Sequence, residues 1–465
     1  MRLAFLAMKK IRTTRVLVLS LTLICALSFV TASAIEPVSF ADNGGLKMLY
    51  DNRMYPQAVA VGDSIHIVWR GKDGFPYLAT YRLDNRTVSP SKMLLEGLLD
   101  EVKTSKYERD HHYAPVIWAD QNEFLHVLFG CHNSAGIHLI AAQARSTDSW
   151  VRGPTFDESV SYPKVHRIHG DRTLIYFRHT GHLGHWQYRV SDDGGRIWNE
   201  PPRPIVDLNA DPQDGEHASY AGSYNTTVVS ADGRRLHVAF IWKVEDPVFN
   251  HRYKRVLGDH TQRYNLYYLW VDLPSGKAFN VQGREVELPV RKKTADEHCL
   301  VWDTDERVAA VGPSIALDAK DRPHFLLPVS DKTPLIGRFH FVCFEKGSWR
   351  KTPITETMHP FNASHLEVDH GVLRAFLIAG GCDTIVEEGM DEYGFGQRIE
   401  QWESRDRGKS WVLHRDLTPS VSQKFQNIQF VSDGMKSVMK DVVLFYGWSD
   451  PAGQGTAFLW DARSQ

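Results

Sequence analysis

Cysteine is scarce: the 465 residues hold five, and one of them, Cys25, falls among the first 34. The other four, Cys131, Cys299, Cys343 and Cys382, lie far apart with no C-x-x-C pair, which argues against a disulfide framework or a zinc ribbon and leaves buried thiols or one bridge. Also missing is an apolar run of the roughly 20 residues that a bilayer-spanning helix needs. The nearest approach, Val16 to Val30, follows Lys9, Lys10, Arg12 and Arg15 and precedes Ala32-Ser33-Ala34. That order is the layout of a secretory signal peptide cut near Ala34, so residues 1–34 are expected to be a leader and the mature chain secreted or periplasmic, free of the membrane. Its loss takes five basic residues and no acidic one, moving the formal charge from −2 to about −7, a poor starting point for binding nucleic acid. No Ser/Pro-rich linker or low-complexity stretch divides residues 35–465, which are therefore expected to form one domain.

What the chain does have is repetition. Ser191–Trp198 and Ser404–Trp411 share the template Ser-x-Asp-x-Gly-x-x-Trp, an Asp box. Asp can close a tight turn on backbone amides, Gly can take the positive φ the turn needs, and Trp can fill the space where two strands diverge. A weaker unit recurs seven times, beginning at Ala58, Pro115, Lys164, Thr227, Ser314, His365 and Ile428: an alternating apolar strand, an Asp- or Gly-rich turn and a second apolar strand. The chain between copies suffices for two more strands each. The expected fold is therefore all-β, a seven-bladed β-propeller of four-stranded antiparallel blades with Asp boxes. Either the segment after Glu36 or the tail Thr456–Arg463 would complete a shared blade.

In an antiparallel hairpin, residues equally far before and after the turn meet at its open end. By this count His112 and His132 are neighbours, Tyr162 faces Arg178, Tyr224 faces Trp242 with Tyr220 just before it, Arg53 faces Arg70 and Asn362 faces Gly380. One face thus collects His112, His132, Tyr162, Arg178, Tyr220 and Tyr224 from three successive hairpins. Arg263, in the long insertion before the fifth unit, offers a second carboxylate contact, and His365 can reach the same mouth. His111 is an alternative to His112, although strand alternation points the two to opposite sides.

Hydrolysis of a glycoside normally uses two carboxylates, and these positions supply none. Abstraction of a proton beside a carboxylate needs a base, an acid for the departing oxygen and a cation on the carboxylate. Arg suits the last role because its planar fork stays charged and bonds both oxygens, while His and Tyr can move the protons. The set suits β-elimination from a uronic acid. The stretches Asp110-His111-His112-Tyr113-Ala114-Pro115, Gly130-Cys131-His132-Asn133, Tyr162-Pro163 and Tyr176-Phe177-Arg178, with the Asp box at Ser191–Trp198, resemble the BNR-repeat polysaccharide lyases, a group that includes ulvan lyases and rhamnosyl-glucuronate lyases. The resemblance implies that His112 and His132 act around the C5 proton, that Tyr162 serves as acid and as a candidate base, that Arg178 neutralises the uronate, and that Tyr220 lines the sugar site. It implies a uronic-acid-containing polysaccharide as partner and no cofactor for the chemistry.

Other readings stay open. A sialidase would use three arginines, for which Arg70, Arg178 and Arg263 are candidates, but the Arg-Ile-Pro signature near the N-terminus is absent. A related α-L-rhamnosidase uses a His on the opposite face, where Met54-Tyr55-Pro56-Gln57 offers Gln57, which cannot accept and return a proton. A glycan-binding propeller without chemistry would present Trp186, Trp242 or Trp270 as platforms. A structural Ca or Zn ion is allowed for without assigned ligands, His298-Cys299 being adjacent rather than spaced to share one.

Overall fold

The computed structural model describes residues 35–44, 53–95, 111–156, 159–198, 201–209, 221–244, 263–305, 307–331, 337–357, 359–380, 396–421, 423–434, 438–448 and 455–463. The expected leader at 1–34, together with Tyr220 and Cys382, lies outside them. Helical pieces among the described residues are short turns, such as His111–Tyr113 and His169–Asp171, and none is long and apolar enough to cross a membrane. Cys131, Cys299 and Cys343 are free and buried.

The strands among the described residues form six sheets, and four strands in simple antiparallel order is the recurring unit. Val116–Ala119, Leu125–Phe129, Ile137–Ala141 and Trp150–Arg152 make one; Val160–Arg167, Thr173–His179, Trp186–Ser191 and Arg203–Val206 make the next. A third, built on Ala221–Val229, Arg235–Val244 and Arg263–Asp272, carries short extra strands. Two more quartets begin at Ser314–Leu317 and Ser364–Asp369. The eight-stranded sheet is two antiparallel quartets that meet at one parallel bridge, Val59 to Ser432. In the second of these quartets Val38–Gly44 pairs with Gly455–Asp461, so both chain ends complete it.

Each sheet's first strand packs against the first strand of the next, from Ala58–Val61 round to Lys424–Ser432 and back again. Because both faces of these central strands are covered, they read as nearly continuous buried runs; every residue of Ser64–Arg70, the second strand of its quartet, is buried too. The core lies between neighbouring sheets: Leu326, Phe339 and Phe341 of one interdigitate with Leu366, Ala375 and Leu377 of the following one. Full burial of such side chains contributes about 1.5–3 kcal/mol each.

The two Ser-x-Asp-x-Gly-x-x-Trp segments build the same corner. Asp193 Oδ1 accepts from the amides of Arg196 and Ile197 at 3.0 and 2.9 Å, and Asp406 Oδ1 from Lys409 and Ser410 at 3.0 Å each. The serine hydroxyls accept from the Gly195 and Gly408 amides at 2.9 and 2.8 Å. Glycine is required at these positions: φ is +98° and +76°, and a Cβ on Gly408 would lie 2.2 Å from the Phe341 ring. Each corner is also clasped by the preceding sheet, through Trp118 Nε1 to the Gly194 carbonyl (2.8 Å) and Arg350 to the Gly408 carbonyl (2.7 Å).

Several histidines are sealed between strands. Burial pushes His138 and His237 down to about 3 and His66 to about 4, with the nearby Arg82 cation adding to the effect at His66. The unfolded chain, with imidazoles near 6.5, then binds more protons than the fold, so stability is intact above that value and falls as pH drops from about 6.5 towards 4. Thermal melts between pH 7.5 and 4 are expected to decline, each such histidine contributing up to about 1.4 kcal/mol per pH unit. A His66→Gln variant should shallow that slope; an unchanged slope would show that His66 does not carry its share.

Candidate active site

Two breaks in ideal strand geometry create the site. The first surrounds the hairpin Val116–Ala119 and Leu125–Phe129. Ahead of it a single helical turn holds His112; after it Gly130, at φ +79°, turns the chain so that His132 comes back alongside. Their rings lie 4.3 Å apart, tilted by 33°. The second break is in the strand Val160–Arg167. Pro163 has no amide to give to the ladder, and pairing slips between Ser161, which faces Arg178, and Lys164, which faces Tyr176. Tyr162 sits in that slip at φ +57°, rare for a bulky residue, and its ring turns inward.

Tyr162 is the hub of the cluster. Its fully buried ring lies 5.6 Å from His112 and 5.8 Å from His132, stacks on Trp186 at 6.2 Å, and meets Tyr224 edge-on at 5.6 Å. Over it stands the Arg178 guanidinium, Cζ 4.7 Å from the ring centre and 5.9 Å from that of Tyr224. Arg263 approaches the Tyr224 ring at 5.0 Å and the Phe361 ring at 5.7 Å. The structure therefore brings together His112, His132, Tyr162, Arg178, Tyr224 and Arg263.

The expected hairpin pairings are shifted by one residue in two places: Arg178 faces Ser161, and Tyr224 faces Ile241, with Ser223 opposite Trp242. Among the described residues, His365 is the expected site residue placed elsewhere. Its hairpin opens at Phe361 and Asn362, so His365 lies about 10 Å further along at ~3.3 Å per residue. There it stacks on Phe430 at 4.1 Å and lines a separate cavity. Phe361 takes the place expected of it, held by a hydrogen bond from its amide to His359 Nδ1 at 3.0 Å. Burial pushes His359 down to about 3, so it stays neutral and able to accept.

Three contributors escaped the hairpin count. Arg53, expected opposite Arg70, reaches over Tyr162 and Tyr224 at 4.9 and 5.5 Å. Lys243, fully buried, approaches Tyr224 at 5.7 Å and His182 Nδ1 at 3.4 Å, and His182 lies 6.1 Å from His132. Lys243 had a legible signal: like Arg178, it is next to last in the second strand of its hairpin. Among the described residues no group of three or more His, Cys, Asp or Glu is placed to hold a metal ion.

Arg178 is fully buried, and none of its three guanidinium nitrogens has a hydrogen-bond partner among the described residues. An always-charged planar fork in that state is a receptor for an anion with two oxygens, above all a carboxylate. The two imidazoles and the phenol next to it can accept and donate protons.

A family model described as a BNR repeat-containing family member matches residues 75–357. An ulvan lyase (PL25) of Pseudoalteromonas sp. (strain PLSV) is 24% identical over 308 residues, 62% of this chain and 60% of the relative. An ulvan lyase of Nonlabens ulvanivorans is 22% identical over 282 residues, 56% of this chain and 57% of its own. The chain thus spans roughly three-fifths of the curated relatives it matches. A solved polysaccharide lyase PL25 ulvan lyase bound to -[GlcA(1-4)Rha3S]- superposes with a TM-score of 0.72 at 18% identity, covering 92% of this chain and 96% of that one. The polysaccharide lyase Uly1 gives 0.59 at 13% identity, with 93% of each chain covered. These likenesses establish a shared fold.

A buried cation without a partner costs stability that removal should return, since an unsatisfied buried polar group carries about 1–3 kcal/mol and a charged one more. Arg178→Met is accordingly expected to melt higher than the parent protein in the absence of ligand. A lower melting temperature would mean that the guanidinium is satisfied within the fold.

Proposed function

The chain belongs to the BNR repeat-containing family, and on that footing we propose that it is a polysaccharide lyase cleaving a 4-linked glucuronate, of the ulvan or rhamnosyl-glucuronate kind, by β-elimination. The observation that carries this reading is the sealed Arg178 fork, without a hydrogen-bond partner among the described residues, lying 4.7 Å over the ring of Tyr162. Bound to the uronate carboxylate, it withdraws charge and lowers the cost of the carbanion that forms at C5. A base from the His112, His132 and Tyr162 group takes the C5 proton. The C5–H electron pair becomes the C4–C5 double bond, the C4–O bond breaks towards oxygen, and an acid from the same group protonates the leaving oxygen. Tyr224, Arg263 and Tyr220 hold the sugar. The steps ask for no cofactor.

The related ulvan lyases and the lyase solved with -[GlcA(1-4)Rha3S]- support the substrate class. In the same reading the sheets are the blades of a seven-bladed β-propeller over residues 35–465 with Asp boxes at two corners. The closed cycle of first-strand contacts and the matching hydrogen bonds of Asp193 and Asp406 support it. Residues 1–34 act as a signal peptide, and the enzyme works outside the cytoplasm, where its polysaccharide is.

Elimination conjugates the new double bond with the carboxylate, so incubation with ulvan is expected to raise near-ultraviolet absorbance. Arg178→Ala should lower turnover by ~10²–10³, the usual effect of losing one donor to developing charge. Saturated products would replace elimination by hydrolysis, and full activity in Arg178→Ala would remove the arginine from the carboxylate.

A further inference from the structure

A cavity of about 250 Å³ lies towards the turn ends of the same hairpins, away from the cluster around Tyr162. His166, Thr227, His365, Glu367 and Phe430 line it together with Tyr55. Several of its polar groups are already engaged. His166 Nε2 and Thr227 Oγ1 share a hydrogen bond of 2.8 Å, Lys440 is paired with Asp369, and Lys164 donates to the Arg53 carbonyl. Two are not. His365 is 3% exposed and neither ring nitrogen has a hydrogen-bond partner among the described residues; Glu367 is 2% exposed and its Oε2 has none. His365 Nε2 stands 3.6 Å from Glu367 Oε1, and Arg374 Nη1 stands 3.9 Å from Oε2, beyond hydrogen-bond range.

Buried polar atoms are nearly always satisfied, so three orphaned ones on the wall of one cavity point to a ligand that completes them. A carboxylate oxygen accepts, while an imidazole donates from one nitrogen and accepts at the other. Hydroxyl groups, which do both, are the complement. An anion is disfavoured by Glu367 itself and by Asp318 and Asp321 on the same wall. The aromatic corner fits this chemistry: His365 stacks on Phe430 at 4.1 Å, Phe430 meets Tyr55 at 5.0 Å, and Tyr55 meets His166 at 5.5 Å. Such faces take the C–H side of a pyranose ring, and the volume, just below the ~300 Å³ at which drug-sized pockets begin, limits the occupant to about one ring. We propose that this cavity binds an uncharged saccharide unit, held by Glu367 and His365 and stacked on the Phe430–Tyr55 corner. The assignment is independent of the lyase reading and concerns different side chains.

Saturation-transfer NMR on the full chain, with the methyl β-glycosides of glucose, galactose and xylose as probes, tests it. At least one probe is expected to bind, with affinity reduced at least about tenfold in Glu367→Gln and in His365→Phe and unchanged in Arg178→Ala. Hydrogen exchange in the parent protein, which needs no variant to fold, should slow at 364–369 and 428–432 when the probe is added. Absence of transfer from all three probes at millimolar concentration, affinity in both cavity variants unchanged from the parent protein, loss in Arg178→Ala, or protection at 111–114 and 176–179 instead would each overturn it.

Discussion

The structure hangs on closure between its two ends. A ring of sheets whose first strands touch mainly through side chains has few backbone hydrogen bonds across the seams, so the seam between first and last sheets must be sealed from outside. Pairing of Val38–Gly44 with Gly455–Asp461 does this within the last quartet, and the Val59 to Ser432 bridge ties that quartet to the first. At the rim the Tyr81 hydroxyl donates to Asp461 at 3.3 Å, and Arg86 donates to the Asp461 carbonyl. Closure also fixes residues 53–57, which lead into the first inner strand. Tyr55 takes a parallel bridge to Lys164, its amide donating to the Pro163 carbonyl at 3.1 Å and its carbonyl accepting from Val165 at 2.8 Å. Those two bonds hold the backbone next to Tyr162, so the kink that turns the phenol inward is braced by the segment that closure positions, and Arg53 arrives over the same ring.

The site spends stability on readiness. A positive φ at a bulky residue costs of order 1–3 kcal/mol and persists where the surroundings over-determine it. Here the surroundings are rigid: Trp186 backs Tyr162, and its indole donates to the Ser223 carbonyl at 2.9 Å, one residue before Tyr224. A buried guanidinium with no hydrogen-bond partner among the described residues adds to the burden. The aromatic faces of Tyr162 and Tyr224 offset part of it, since a cation over a desolvated ring gains up to about 2 kcal/mol. Both expenses fall at one point, as expected when a site is arranged for a charge that arrives with the ligand.

Much of this was legible in the sequence because it is local. Period-two alternation and Asp- or Gly-rich turns mark each hairpin, and distance from the turn puts His112 beside His132 and Tyr162 beside Arg178. Where local counting failed, the cause was long-range or a slip in register. Pro163 shifts the pairing of Arg178 by one residue, and Tyr224 pairs one residue away from Trp242. Arg53 was misplaced because its position depends on a bridge to a strand more than a hundred residues away. His182 stands in a loop after its strand, with no periodicity to reveal it. Hairpin membership alone points His365 to the mouth, whereas the level at which that hairpin opens is set by Phe361 and His359.

Placement of the charged groups separates the two ends of the hairpins. At the open ends the cations Arg53, Arg178, Lys243 and Arg263 gather on two tyrosine rings. At the turn ends the carboxylates Asp318, Asp321 and Glu367 share a wall, Asp318 being held well below the usual carboxylate range by His324 and Arg322 despite the opposing effect of burial. The hairpin turns favour Asp because its side chain bonds turn amides, as Asp318 does to Lys320 and Arg322 at 2.9 and 3.0 Å, whereas the open ends are free of that demand. A repeated hairpin therefore tends to collect negative charge at its turns, at the far end of the strands from the cations. The scaffold's turn chemistry and the site's gathering of cations are compatible because they occupy opposite ends of the same strands.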